Sequence, residues 1–275
     1  MQIPPEIEAF YNEGTEVRRL TQGLGRLEFV RMQEIMTKYL PPAPAAVADI
    51  GGGPGAYAIW LARQGYAVDL VDPIALHITQ AEQASAQQPE HPIRSCELGD
   101  ARHLSLDDAS VDALLLHGPL YHLTAAADRR VALEEALRVL RSGGLLFAVA
   151  ISAYASTIVG LVKDWIWDRE YLAMIREEIE TGQHRRPATW RVFTTAYFHH
   201  ATGLAKELVD AGFEHEVTLG IQGPGWLVPD FEQRLDEPRQ REVLMQIARL
   251  VERDPTHSPH MVAVARKPQH AQSKS

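Results

Sequence analysis

Cysteine is almost missing from this chain: Cys96 is the only one in 275 residues. That excludes an internal disulfide framework and any multi-cysteine zinc site, and the paired histidines His199 and His200 lack partners at metal-ligand spacing, so no metal is expected. Positive charge is also short. Against 36 Asp and Glu there are 27 Lys and Arg, a net of −9, which argues against an extended phosphate-binding surface and against nucleic acid as a partner. The opening MQIPPEIEAF lacks the basic and apolar regions of a secretion signal, and a cytoplasmic location is expected. Long uncharged runs are absent but for GGLLFAVAISAYASTIVGLV, Gly143 to Val162, which is long enough to span a bilayer. Ser152, Tyr154, Ser156 and Thr157 lie within it, and its first half falls where a buried parallel strand is due. A strand followed by a helix start is expected there, with no membrane span. No internal repeat is visible.

What is present is an alternation of strand and helix patterns, the mark of βαβ units and a parallel sheet. Strands are expected at Ala46 to Ile50, Ala67 to Val71, Ile93 to Leu98, Val111 to Leu116 and Leu145 to Ala150, with late strands at Val217 to Ile221 and Met261 to Arg266. Helices are expected at 56–64, 74–87, 126–141 and 203–210. The fold class is therefore α/β: a doubly wound, seven-stranded, mostly parallel sheet. Residues 1–40 carry an amphipathic stripe of Leu20, Leu24, Leu27, Ile35 and Leu40 and read as a helical flap, joined by PPAPAA to the core. The expected organisation is flap 1–40, cofactor-binding core 41–151, helical cap 152–200, the rest of the sheet with a second insertion at 201–267, and a disordered tail 268–275. Both insertions rise from the carboxyl ends of strands, the edge at which open α/β sheets bind ligands.

The stretch ADIGGGPGAYAIWLARQG, Ala48 to Gly65, is a strand, a glycine turn and a helix, hence a nucleotide cradle. Gly51, Gly53 and Ala56 spell the G-x-G-x-x-A of dinucleotide folds, whereas Asp49, Gly51, Gly53 and Gly55 spell D-x-G-x-G-x-G. Asp72 ends the second strand, where an acid can hold ribose hydroxyls in either case. The two readings separate on motifs further along the chain: Asp100 and Ala101 past the third strand, HGPLYHL from His117 past the fourth, and ALRVLRSGGLL from Ala136. With these motifs the chain, from about Asp49 to Ala150, resembles the class I S-adenosylmethionine-dependent methyltransferases, in the small-molecule group similar to the ubiquinone and menaquinone biosynthesis methyltransferases. The resemblance implies S-adenosylmethionine as cofactor. It places Asp49, Gly51, Gly52, Gly53 and Gly55 at the methionine moiety, Asp72 and Pro73 at the ribose, and Asp100 and Ala101 at the adenine. YNEGTEVRRL, Tyr11 to Leu20, resembles the family's N-terminal segment and brings Tyr11 and Arg19 to the cofactor, the tyrosine ring facing the sulfonium.

Methyl transfer from a sulfonium is an in-line displacement that depends on alignment and exclusion of water, and a base is needed only for a hydroxyl or phenol. The candidates after the fourth strand are His122, His117 and Tyr121, with His122 preferred because the turn at Gly118 and Pro119 can hold His117 against the cofactor. His199 and His200 in the cap are further candidates. Trp165, Trp167 and Trp190 are read as cap core or as cover for an apolar acceptor. Since His117 and Gly118 stand where an acidic residue is needed for N-P-P-Y amino methylation of nucleic acid, the expected partner is a small-molecule acceptor with an O, N or C nucleophile, and the chain is expected to be a monomer or homodimer. A nicotinamide-dependent oxidoreductase and a non-catalytic S-adenosylmethionine-binding protein are the alternatives.

Overall fold

The structure is a computed structural model that describes residues 3–187, 189–190 and 192–269. Helices α1 (Pro5–Asn12), α2 (Glu16–Arg19) and α3 (Gly23–Tyr39) precede β1 (Ala46–Ile50). The core continues with α4 (Ala56–Arg63), β2 (Ala67–Asp72), α5 (Ala75–Ala86), β3 (Ser95–Leu98), β4 (Val111–Leu116), the short α6 (Pro119–His122), α7 (Ala126–Val139) and β5 (Leu140–Ile151). The cap holds α8 (Ala155–Val162), α9 (Arg169–Thr181) and a two-strand ribbon, β6 (Gln183–His184) with β7 (Ala196–Tyr197). After α10 (Ala201–Asp210) and β8 (Glu214–Gly220), helices α11 (Phe231–Asp236) and α12 (Pro238–Val251) lead to β9 (His260–Arg266).

The seven-stranded sheet runs β3-β2-β1-β4-β5-β9-β8, with β9 antiparallel to both neighbours and the other described pairings parallel. Side chains alternate across it with period two. Ala46, Ala48 and Ile50 of β1 and Leu146, Ala148 and Ala150 of β5 join Leu133, Ala136, Leu204 and Leu208 of α7 and α10 in one core. Val47, Phe147 and Val149 point the other way, onto Met32, Ile35 and Met36 of α3 and Tyr57, Ala58 and Leu61 of α4. Helix α3 is thus a core layer; Arg31 pairs with Glu34 within the helix and, at 2.6 Å, with Glu252, which fastens α3 to the C-terminal segment.

The twenty uncharged residues from Gly143 divide as their pattern implies, into the second part of β5 and then α8. No helix among the described residues is long and apolar enough to cross a membrane. The third strand starts at Ser95, two residues late, and the helix expected at 126–141 ends at Val139 because Leu140 already pairs with Val111 in the sheet. Most of the tail read as disordered, residues 270–275, lies outside the described residues.

Candidate active site

The turn from β1 to α4 depends on glycine. At Gly51, φ is +75° and a Cβ would stand 2.5 Å from the His117 carbonyl oxygen, so only glycine lets the β1 and β4 loops touch. Gly55 opens α4 at φ +88° with no side-chain cap, which leaves the first N–H groups of the helix free for an anionic group. Below the loop Asp49 is fully buried, and neither carboxyl oxygen has a partner in hydrogen-bonding geometry. Burial and the nearby Asp72 push its carboxyl up to about 7, which the Ala58 N–H only partly offsets.

Asp72 ends β2 with its carboxylate already engaged: Oδ2 accepts from Gly53 N at 2.9 Å, and Oδ1 accepts from Ile74 N and His77 Nδ1, each at 2.9 Å. A carboxylate has about four acceptor positions, so one remains. Asp100 is clamped by Arg102, which also reaches Asp128 at 3.3 Å. Pro73 and Ala101 line the same cavity.

That cavity has a volume of about 480 Å³ and runs from the glycine loop past Asp72 and Asp100 to His117, Tyr121 and His122, under α1 and α2. Tyr11 roofs it. Its ring meets His77 and His122 edge-on, each at 5.3 Å between ring centres, and its hydroxyl lies 2.6 Å from His122 Nε2. Burial holds His122 down at about 3 and keeps the Tyr11 phenol well above its usual value, so both are neutral at physiological pH. Arg19, also on the roof, bonds Glu16 through Nε at 2.5 Å and both oxygens of Glu28 through Nη1 at 2.9 Å, which leaves Nη2 without a partner among the described residues.

Glu28 went unnoticed in the sequence. It is buried on α3 and gathers Arg19, Gln222 (Nε2 to Oε2, 3.1 Å), His260 (3.4 Å) and His117 (Nε2 to Oε1, 3.5 Å). Burial opposes its charge, but Arg19, His260 and His117 outweigh that and hold the carboxyl at about 2. Burial likewise brings His117 down to about 3, against the pull of Glu28. One sequence signal was available: Glu28 interrupts the apolar face between Leu27 and Ile35.

Residues 48–148 match the family model described as a methyltransferase domain. The chain carries a methyltransferase domain. The ubiquinone/menaquinone biosynthesis C-methyltransferase of Rubrivivax gelatinosus is 27% identical over 213 residues, 72% of this chain and 73% of that one. An uncharacterized methyltransferase of Mycobacterium tuberculosis is 36% identical over 166 residues, and the match spans 58% of each chain. Among solved structures, a SAM-dependent methyltransferase of Methanosarcina mazei superposes with a TM-score of 0.60 at 21% identity over 86% of this chain and 98% of that one, a likeness of fold.

Within this methyltransferase the residues from the glycine loop, β2, β3 and β4 come together at one edge, as do Tyr11 and Arg19. The cap residues do not. His199 packs against Glu207 and His200 bonds the Ile179 carbonyl. Trp165 and Trp190 cluster with Tyr171 inside the cap, while Trp167 is 76% exposed. Cap and flap meet over the cavity through Phe193, 5.5 Å from Phe10 and 5.6 Å from His122.

Proposed function

We propose that the methyltransferase moves a methyl group from S-adenosylmethionine to a nucleophilic O, N or C atom of a small molecule, in secondary metabolism. What carries the reading is one continuous cavity that puts the uncapped start of α4, the Asp72 carboxylate and the His117 to His122 turn along one sheet edge. The donor set fits the cofactor. The first N–H groups of α4 and the spare Nη2 of Arg19 take its carboxylate, the remaining lone pair of Asp72 takes a ribose hydroxyl, and Asp100 with Ala101 flanks the adenine. Buried Asp49, which keeps its proton up to about pH 7 in the free protein, would supply negative potential beneath the positively charged end on releasing it.

When bound, the cofactor supplies a methyl group on a positively charged sulfur. The chain aligns the acceptor at the β4 end, where Tyr11, Tyr121 and Phe193 exclude water, and alignment in a dry site lowers the barrier without any bond to the protein. The excess of acidic residues supports a small molecule over nucleic acid as acceptor. Incubation with S-adenosylmethionine and a metabolite extract, followed by mass spectrometry, tests this. A methylated product that disappears when Tyr121 and His122 are both replaced by Ala is expected; cofactor binding with no methylated product would leave a binding protein instead.

A further inference from the structure

The cavity holds two cations among its described lining residues, Arg19 and Arg102, and each is matched by two carboxylates: Arg19 by Glu16 and Glu28, Arg102 by Asp100 and Asp128. What Arg19 has left, Nη2, serves the cofactor's carboxylate. An acceptor bearing a carboxylate or phosphate finds no unpaired cation among the described lining residues, in a cavity whose carboxylates, Glu16, Asp72, Asp100 and Asp128, outnumber its two arginines. An amine would be held there as its ammonium form, which has no lone pair to attack with.

The two imidazoles at the β4 end are not equivalent. His122 has Nε2 taken by Tyr11 and Nδ1 buried without a partner, and no carboxylate stands near to receive the charge it would gain. His117 lines the cavity, and its Nε2 faces Glu28 Oε1 at 3.5 Å. That distance is long for a hydrogen bond, as such contacts often are before substrate is bound. The groups that face His117 come from five elements: Arg19 of α2, Glu28 of α3, Tyr57 of α4, Tyr121 of α6 and His260 of β9. Only Glu28 among them stabilises an imidazolium.

We propose that the acceptor is an uncharged hydroxyl compound and that His117, with Glu28 of α3 as its positioning residue, takes the hydroxyl proton. This rests on the methyltransferase reading above. In the step, the O–H proton passes to His117 Nδ1, the freed oxygen lone pair forms the new C–O bond, and the C–S bond breaks with its electron pair returning to sulfur. The positive charge of the sulfonium ends on the imidazolium, beside Glu28.

Two measurements on the full chain test it. The first presents matched aromatic acceptors that differ in one group: a hydroxyl, an amine, or a hydroxyl with an added carboxylate. Methylation of the neutral hydroxyl compound, with the carboxylated one at least about tenfold slower, is expected. Preference for the amine or the acid overturns the inference while leaving methyl transfer intact. Methylation of none, with cofactor product bound, overturns the methyltransferase reading and this inference with it.

The second is independent of turnover: nitrogen NMR of the imidazoles with cofactor product bound. His117 is expected to carry its proton on Nε2, toward Glu28, and to lose that preference in Glu28→Gln, with Glu28→Asp restoring part of it. At saturating cofactor, His117→Asn should lose about a hundredfold to ten-thousandfold in rate. A proton on Nδ1 in the parent, or a rate loss that follows His122→Ala and spares His117→Asn, overturns the assignment.

Discussion

Asp49 is buried without a hydrogen-bond partner, and its carboxyl is pushed up to about 7 by burial and by Asp72. In the unfolded chain an aspartate ionises near 3.9. The folded form therefore holds a proton the unfolded form has released, so this residue's contribution to stability is fully present below about pH 4 and is lost as pH rises through about 7. Asp49→Asn should remove that loss: the stability difference between variant and parent grows with pH between about 4 and 7, by about 2–4 kcal/mol, in urea unfolding of the free protein. A difference flat with pH would mean Asp49 is ionised throughout. At this scale the sequence was legible wherever a residue belongs to a local motif, as with the glycines, Asp72, and His117 to His122. It was not legible for Glu28, Gln222 and His260, which lie on α3, on the loop after β8 and on β9, and meet because β9 runs antiparallel and brings His260 opposite Ile151 at the ligand edge.

Among the elements, α3 departs most from expectation. An amphipathic stripe says which face is buried but not whether the burial is permanent, and residues 1–40 read equally as a lid. The structure divides them. Met32, Ile35 and Met36 are buried in the core, whereas α1 and α2 cover the cavity and bury Ile7 alone. Cofactor product should slow hydrogen exchange across residues 3–21 while α3 exchanges slowly in both states; protection that rises equally along all forty residues would make the whole segment one moving body. Met36→Ala should cost about 2–5 kcal/mol in thermal or urea unfolding, as a cavity in a packed layer does, and a cost below about 1 kcal/mol would place α3 outside the core.

Over the whole molecule, sheet order and strand polarity decide where chemistry occurs. The continuous apolar runs of β1, β4 and β5 announced a sheet covered on both faces, and the carboxyl ends of its strands carry every proposed cofactor contact except those from the flap. The cap touches this edge through Ala196 and Phe198, packed with Tyr121, and through Phe193 against His122, so Phe193→Ala should loosen water exclusion at the β4 end and lower the methyl-transfer rate with cofactor affinity within about threefold; an equal loss of cofactor affinity would put Phe193 at the cofactor instead. The central claim is that this edge holds S-adenosylmethionine through Asp72, and titration calorimetry tests it most directly. The parent should bind S-adenosylmethionine and its demethylated product at one site and give no heat with NAD, and a folded Asp72→Ala variant should bind about tenfold to a hundredfold more weakly, about 1.5–3 kcal/mol. Unchanged affinity in that variant, or binding of NAD in place of S-adenosylmethionine, would contradict the account.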